Sequence, residues 1–414
     1  MLETLIGGVP DSRLVTTLGD LCRAGGGDIQ TGPFGSQLHA ADYVPVGIPS
    51  VMPQNIGDNV IVENGIARIT ESDAARLARY LLRAGDIVYS RRGDVERRAL
   101  VREGQDGWLC GTGCLRVRLG TSANQRFISY YLGHPRVREW IVRHAIGATM
   151  PNLNTAILSS LPVVLPSMPE QDAIAEVLGA FDDKIEVNAT VALNARQLVR
   201  FHYVQAVEKS NSIRAIGEVA EVFDGPHATP TKTAAGPWFL SISSLREGEL
   251  HLGESAHLSE DDYAKWTRRV TPMAGDVLFS YETRLGEAAL MPPGVRACLG
   301  RRMALLRPKV GPFGPRIMLR AFLDQRFQLT IRERAVRGAT VDRIPLTELP
   351  SWPIALPEGD LERLEGTLGY YDDMANARDR ENEALTRLRD TLLQGLMSGE
   401  IRVRDAEKVV EDAT

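Results

Sequence analysis

Two long stretches of the chain place their apolar residues at the spacing of a helix seam. The first stretch runs Ile174, Leu178, Phe181, Ile185, Asn188, Ala192, Ala195, Leu198 or Val199, and His202. The second runs Leu361, Leu364, Leu368, Tyr371, Ala375, Arg378, Asn382, Leu385, Leu388 or Arg389, and Leu392. Alternating steps of three and four residues are typical of helices that pack side by side. Because neither stretch contains proline, we expect two helices of about 57–60 Å, over 170–208 and 359–397. They pack most simply on each other; two separate surface helices are the alternative.

The rest of the chain alternates short apolar runs with Gly and Pro turns. Runs such as 113–119 are typical of strands. A helical stretch follows at 126–146 and again at 315–336, and prolines frame an extended strand at 161–166 and at 353–357. These blocks are therefore predicted to mix α and β structure.

Three sequence landmarks recur in the same order. Ala-Gly-Asp-Ile-Val-Tyr-Ser at 84–90 returns as Ala-Gly-Asp-Val-Leu-Phe-Ser 190 residues later. The segment 147–166 returns at 338–357, a shift of 191, and Phe-Asp-Asp at 181–183 is echoed as Tyr-Asp-Asp after 190. A solenoid repeat is far shorter, so the pattern indicates a duplicated domain with its helix. The predicted division is 1–166, 167–212, 213–357, 358–400 and a C-terminal tail over 401–414.

Charge is distributed unevenly along the 414 residues. The net charge is −5, but 296–337 holds eleven basic residues against Asp324 and Glu333. Such a patch suits a phosphate backbone, and a solvated arginine-rich surface is the alternative. The two helical blocks, with the tail, are acidic. No apolar run is long enough to span a membrane, no secretory signal opens the chain, and four scattered cysteines indicate a reducing, cytoplasmic compartment.

The sequence offers no catalytic constellation. The segment 32–36 lacks the Gly-Lys-Ser/Thr ending of a phosphate-binding loop. Cys110 and Cys114 have no second pair nearby, so zinc is not expected. We therefore predict no metal, no cofactor and no enzymatic activity in this chain.

Several short motifs follow one another along the chain: Gly32–Leu38, Asp42-Tyr43, Gly47–Pro49, Pro53–Ile56, Gly85–Ser90, Leu165–Gln171, Asp182–Ile185 and Leu393–Ile401. Together they resemble the DNA-specificity subunit of Type I restriction–modification enzymes over essentially the whole chain. Each motif is weak alone, but the order and the duplication make the set specific. The second half departs from the pattern at 224–228 and at Glu358-Gly359, which leaves the role of its Gly-Pro loop open.

The resemblance implies an α+β fold: two mixed α/β target recognition domains, separated by two long helices packed as an antiparallel coiled coil, with a pseudo-two-fold internal repeat. Each domain would read one half of a bipartite, asymmetric site in double-stranded DNA. The helices would dock two modification subunits, which perform adenine methylation, and restriction subunits would complete the complex. The alternatives are a Type IIB-like or methylation-only system, and a coiled-coil scaffold that joins two proteins without reading DNA.

Reading DNA requires base-edge contacts, chiefly from Arg, Asn and Gln, on a surface held by phosphate contacts. Loops that leave the repeated strands at Ser90 and Ser280 are the strongest candidates. The candidate DNA-binding residues are Gln54, Asn55, Ser90, Arg91, Arg92, Arg97, Arg98, Thr149 and Asn152 in the first domain, and Ser243, Ser244, Ser280, Tyr281, Arg284, Arg301, Arg302, Thr340 and Arg343 in the second.

Overall fold

The computed structural model describes residues 2–147, 150–210, 212–246, 248–338 and 341–413. Two candidate residues, Thr149 and Thr340, lie outside the described residues. The chain forms two compact units: the first is Met1–Val187 with Glu381–Thr414, and the second is Asn188–Arg380. Each unit contains one mixed block and half of each long helix. The five-part division made from the sequence keeps each helix whole, and its boundaries stay a prediction.

The mixed block of the first unit is built around a five-stranded sheet. Its strands are β1 (Leu2–Thr4), β2 (Gly7–Val9), β3 (Leu14–Thr17), β4 (Asp28–Thr31), β5 (Tyr43–Val44), β6 (Ile48–Val51), β7 (Asp58–Asn59), β8 (Ala67–Ile69), β9 (Ile87–Ser90), β10 (Arg98–Leu100), β11 (Leu109–Cys110), β12 (Cys114–Arg118) and β13 (Pro162–Leu165). Its helices are α1 (Leu18–Ala24), α2 (Glu71–Arg76), α3 (Gln125–Gly133), α4 (Pro135–His144) and α5 (Thr155–Ser159). The main sheet has the order β4-β12-β9-β10-β7, and a second sheet has the order β11-β6-β8-β5.

Strand β9 is buried on both of its faces. Ile87 and Tyr89 pack into the core beneath the helices, whereas Val88 packs into a separate core on the other side. Alternate side chains of a strand point to opposite faces, so the unbroken apolar run fits a strand between two cores. This burial fixes the position of Ser90 and of the loop that leaves the strand there.

The second mixed block repeats this arrangement after the helix α6 (Met168–Glu208). Its elements are β14 (Ile213–Ala215), α7 (Ile216–Val219), β15 (Ala220–Asp224), β16 (Thr233–Phe239), β17 (Leu245–Arg246), β18 (Glu249–Leu250), β19 (Ala256–His257), α8 (Glu260–Trp266), β20 (Val277–Ser280), β21 (Ala288–Leu290), β22 (Ala297–Cys298), β23 (Met303–Pro308), α9 (Pro315–Leu323), α10 (Gln325–Arg334) and β24 (Pro353–Ala355). The main sheet has the order β15-β23-β20-β21, and β20 divides its side chains between two cores as β9 does.

The remaining helices are α11 (Leu361–Ser398) and α12 (Val403–Ala413). In the first unit, Asn382 donates from Nδ2 to the carbonyl of Ile185 at 3.1 Å, and Arg389 pairs with Asp182 at 2.6 Å. Later positions of α11 therefore meet earlier positions of α6, which makes the pair antiparallel. In the second unit, Ala192, Ala195 and Ala375 form the buried contact between the same two helices. The predicted fold class, with its two long packed helices, is confirmed.

The repeated Asp-Asp landmark attaches each mixed block to the helices. In the first unit, the hydroxyl of Tyr130 donates to Asp182 at 2.6 Å, and Arg126 pairs with Asp183 at 2.7 Å. Both partners lie on α3. The landmark thus has a structural role in the first unit.

The second unit repeats this attachment with a change of chemistry. Arg320 pairs with Asp372 at 2.6 Å, and Arg316 pairs with Asp373 at 3.1 Å. Arg320 takes the position of Tyr130, and two arginines on α9 therefore perform the attachment.

The predicted helical stretches 126–146 and 315–336 are each two helices. His134 lies between α3 and α4 with φ −59° and ψ 134°, because the residue before Pro135 is disfavoured in the helical region. Asp324 separates α9 from α10 by accepting the N–H of Arg326 at 2.9 Å. The stretch predicted as a tail contains α12, whose Ala406 is buried in the core of the first unit.

Candidate nucleic-acid interface

Three loop segments meet at the ends of β9 and β12. We call them the first loop cluster: 91–97, 111–113 and 150–153. The Arg91 N–H donates to the carbonyl of Gly113 at 2.8 Å, and the Leu153 N–H donates to the carbonyl of Arg91 at 2.9 Å. The Gly93 N–H donates to the carbonyl of Pro151 at 3.2 Å. The structure therefore places Arg91, Arg92 and Asn152 side by side, although they are far apart in the sequence.

Polar atoms in this cluster lack partners. Arg91 Nε, Thr112 Oγ1 and Asn152 Oδ1 are shielded from solvent and make no hydrogen bond to the described part of the chain. An unsatisfied shielded group costs about 1–3 kcal/mol, so the described residues leave the polar groups of this cluster incompletely satisfied. Beside them, Arg92 is exposed, and Arg97 pairs with Asp94 at 2.5 Å.

The second unit builds the same backbone arrangement. We call the segments 281–287, 300–302 and 341–344 the second loop cluster. The Tyr281 N–H donates to the carbonyl of Arg302 at 3.2 Å, and the Ile344 N–H donates to the carbonyl of Tyr281 at 2.8 Å. The same two backbone hydrogen bonds link Arg91, Gly113 and Leu153 in the first unit, at the corresponding positions of the repeat. The matching serines also agree, since Ser280 Oγ donates to the carbonyl of Glu282 and Ser90 Oγ donates to that of Arg92.

The side chains of the second loop cluster are paired with one another. Arg302 Nε lies 3.0 Å from Glu282 Oε2, and Arg302 Nη1 donates to Thr283 Oγ1 at 3.1 Å. Arg284 pairs with Glu287 at 2.5 Å. Two of the four arginines in these segments are therefore paired inside the cluster, and each of the two clusters carries a formal net charge of +1.

Tyr281 is a buried member of the second cluster, with 6% of its surface exposed. Burial raises the pKa of its hydroxyl to about 12, and the nearby carboxylates of Asp224 and Glu282 add to the rise. The phenol is therefore neutral over the physiological range and acts as a hydrogen-bonding group.

A Gly-Pro loop borders each cluster. The Gly32 N–H donates to the carbonyl of Cys114 at 2.9 Å, and the Gly225 N–H donates to that of Met303 at 3.1 Å. A Cβ on Gly32 would lie 2.1 Å from the carbonyl oxygen of Gly111, and one on Gly225 would lie 2.5 Å from that of Met303. Glycine is required at both positions, so the departure at 226–228 does not change how the second loop is held.

Several candidates are interior residues. Arg98 is 4% exposed and donates to the carbonyl of Ser129 at 2.8 Å. Asn55 is 1% exposed, and its Nδ2 donates to the carbonyl of Val62 at 3.1 Å. Ser90, Ser244 and Ser280 are also buried. These five side chains support the loops from inside, so the prediction that they contact DNA is corrected: they offer no surface to it.

Four further candidates are accessible to solvent to different degrees. Gln54, Arg301 and Arg343 are exposed. Ser243 Oγ lies 2.7 Å from Ser241 Oγ and is only partly accessible. Gln54 follows Pro53, which lies 3.2 Å from the position that a Cβ on Gly113 would take, so Gln54 borders the first loop cluster.

The predicted basic patch over 296–337 is not one free surface. Six of its eleven basic residues form ion pairs within their own unit: Arg296, Arg302, Arg307, Arg316, Arg320 and Arg326. Five of the six pair with a carboxylate outside 296–337, and Arg326 pairs with Asp324 inside it, so much of the local positive charge is neutralised.

Three members of the clusters were missed in the sequence: Thr112, Glu282 and Thr283. Their signal was present in the repeat, because Glu282 and Thr283 align with Arg92 and Gly93. Substitutions at matched positions of a duplicated loop mark where the two copies differ in chemistry.

The described residues contain neither a helix long and apolar enough to cross a membrane nor a group of three His, Cys, Asp or Glu side chains placed to hold a metal. The described residues form two duplicated α/β blocks, with loop clusters at matched strand ends, and two long packed helices. The crystal structure of the Type I restriction–modification S subunit from M. genitalium shares this fold, with a TM-score of 0.59 and 15% identity over 93% of this chain and 96% of that one.

Sequence comparison agrees with the fold. Residues 15–194 match the family described as the Type I restriction modification DNA specificity domain. A Methanocaldococcus jannaschii protein, named a type I restriction enzyme MjaX specificity subunit, is 22% identical over 428 residues, covering 97% of this chain and 96% of its own length. The resemblance to Type I specificity subunits is confirmed.

Proposed function

We propose that the chain reads a bipartite, asymmetric double-stranded DNA sequence, with one loop cluster for each half. One observation carries this proposal: the two clusters share their backbone hydrogen bonds but differ in the side chains at their tips. Arg92 is matched by Glu282, and Gly113 by Arg302. A constant frame with variable tips suits two readers of unlike sequences.

The chemistry of the first loop cluster supports base reading. Arg91 and Asn152 lie in one hydrogen-bonded cluster, and arginine and asparagine are residue types that make the bidentate contacts that distinguish guanine and adenine. The exposed guanidinium of Arg92 suits either a base edge or a phosphate.

In this proposal the chain is a non-catalytic subunit of a cytoplasmic complex. Two modification subunits bind the methyl donor and methylate adenine, and restriction subunits cleave the DNA, so the specificity chain itself uses no cofactor. The acidic helical blocks offer a docking surface for modification subunits that are basic at the contact.

A binding assay on the assembled complex tests the proposal. We expect tight binding to duplexes that carry both half-sites, weaker binding when either half is scrambled, and a steep loss of affinity with added salt. Binding that is weak at low salt and indifferent to sequence would instead support a protein-joining scaffold. The neighbouring genes and the sequence of the partner subunit distinguish a full Type I system from a methylation-only or Type IIB-like system.

A further inference from the structure

Two residues of the second loop cluster hold a backbone conformation that glycine holds in the first. Thr283 has φ 67° and Arg302 has φ 70°, whereas the matched Gly93 and Gly113 have φ 74° and 84°. The left-handed region is unfavourable for a residue with a Cβ, and glycine adopts it freely. The second unit therefore carries side chains at two positions where the first unit forms the same backbone conformation with glycine.

The two strained residues touch each other. Arg302 Nη1 donates to Thr283 Oγ1 at 3.1 Å, and Arg302 Nε lies 3.0 Å from Glu282 Oε2. Among the described residues, the other non-glycine residue with positive φ is Asn59, which is 7% exposed and lies in the interior. Backbone strain at an accessible site is usually kept for a function. Because the strained residues contact each other through their side chains, that function is expected to lie in those side chains.

The contacts leave one edge of the guanidinium free. Arg302 Nη1 donates to Thr283 Oγ1, and Glu282 lies beside Nε as an ion-pair partner. Among the described residues Nη2 has no hydrogen-bond partner, so Nη2 together with Nη1 or Nε can form the two-pronged donor that matches O6 and N7 of guanine. The side chain of Arg302 is 37% exposed and that of Glu282 is 22% exposed, so the free edge can reach a ligand while the carboxylate stays behind it.

We propose that Arg302 reads a guanine in the half-site recognised by the second loop cluster, with Glu282 and Thr283 as positioning residues. This inference rests on the proposed function. A guanidinium that is fixed before binding loses less rotamer entropy than a mobile one. The contacts with Glu282 and Thr283 fix the guanidinium of Arg302 in this way. The first cluster has no such group, because Gly93 and Gly113 carry no side chain and Arg92 replaces Glu282.

The test replaces Arg302 in the complete complex with modification subunits. Arg302→Gly restores the residue of the matched Gly113, and Arg302→Lys keeps the charge without the planar fork. The control is Arg268→Ala, since Arg268 is exposed in the same unit, lies outside the second loop cluster and makes no ion pair with the described residues. Each variant is measured for the methylated motif in genomic DNA, for affinity to the parent duplex, and for melting temperature.

We expect both Arg302 variants to lose at least about tenfold in affinity and to accept any base at one former guanine position of one half-site. The other half-site stays unchanged, and the melting temperature of Arg302→Gly is equal to the parent's or higher. Glu282→Gln and Thr283→Gly weaken the preference for guanine at that same position without changing any other.

Three results overturn the assignment of Arg302. The first is that Arg302→Gly keeps the parent motif and affinity. The second is that both half-sites are lost together and the melting temperature falls. The third is that the position at which the variant accepts any base is not a guanine in the parent motif. A parent complex without any sequence preference is a different failure, because it removes the proposed function itself.

Discussion

At the residue scale, burial decides which arginines are accessible to a ligand. Arg97 and Arg98 are neighbours and look alike in the sequence, yet the side chain of Arg97 is 51% exposed and that of Arg98 is 5% exposed. The difference arises because Arg98 lies on β10 and points at Asp58 and the carbonyl of Ser129.

We expect Arg98→Ala to lower the free energy of unfolding by about 1–3 kcal/mol, because the buried carbonyl of Ser129 loses its charged donor. Arg97→Ala is the matched control and should change it by less than about 0.5 kcal/mol, since its pair with Asp94 is exposed. Denaturant unfolding of the full chain checks both. Equal losses in the two variants would contradict the interior role of Arg98.

Arg91→Ala combined with Arg92→Ala should weaken specific binding by roughly 1–3 kcal/mol for each bidentate base contact that is lost. If one of the two meets a phosphate instead, the slope of log affinity against log salt falls by about one. Titration of duplex DNA into the assembled complex at several salt concentrations measures both effects.

The control for this pair is Arg402→Ala with Arg404→Ala, because both side chains are exposed beyond the loop clusters. The control should bind DNA as the parent does. An Arg91/Arg92 double variant with unchanged affinity and an unchanged methylation motif would remove this loop from the interface.

The sequence predicted the candidate loops better than the candidate residues. The repeat showed that the loops after Ser90 and Ser280 correspond, and the structure places both at the centre of a cluster. It could not show that Arg98 is interior, because its partner Asp58 lies forty positions away along the chain. Pairing between distant residues is a property of the tertiary fold.

At the scale of elements, the apolar spacing predicted α6 and α11 well. A narrow seam sustained over many turns without proline or glycine-rich interruption leaves few alternatives to a long packed helix. The break between α9 and α10 was not predictable in the same way. No proline marks it, and Asp324 ends one helix by capping the next.

Helix α6 passes from the first unit to the second after Val187, so an insertion there tests whether helix length sets the spacer between half-sites. Four residues added after Asn188 lengthen the helix by about 6 Å and turn it by about 400°, which roughly preserves the seam. We expect the recognised spacer to grow by one base pair, or at most two, with both half-sites unchanged. Motif sequencing of methylated DNA measures the spacer.

Two residues added at the same place form the control. They turn the helix by about 200°, so its apolar seam faces away from α11. DNA methylation by the assembled complex should then be lost. A four-residue variant that still methylates the original spacing as well as the parent, or whose half-sites change, would disprove the idea that the helix acts as a ruler.

At the scale of the whole molecule, the duplication gives the chain two units that are built alike. Each unit contains one mixed block and a segment of both long helices, so a surface offered by one unit has a counterpart in the other. The repeat was visible in the sequence because three landmarks keep one shift. The sequence did not show which bases each unit would read, because the side chains of the loops vary independently of the backbone arrangement that the two clusters share.

We expect two modification subunits to bind each copy of this chain, and the chain alone to be poorly soluble because the docking surfaces are then uncovered. Native mass spectrometry of the complex, with modification subunits in excess, gives the ratio. A single bound modification subunit at saturation would contradict the expectation of two equivalent docking surfaces.

The central claim is that two loop clusters on one chain read two unlike half-sites. Sequencing of methylated bases tests it most directly, in cells that express this chain with its modification subunits and in matched cells without it. We predict an asymmetric methylated motif of two defined parts separated by unspecified bases. This motif should be methylated only in the cells that express this chain. Arg91/Arg92 and Arg302 variants should each alter a different part. A continuous or palindromic motif, or methylation that does not depend on the chain, would contradict the account.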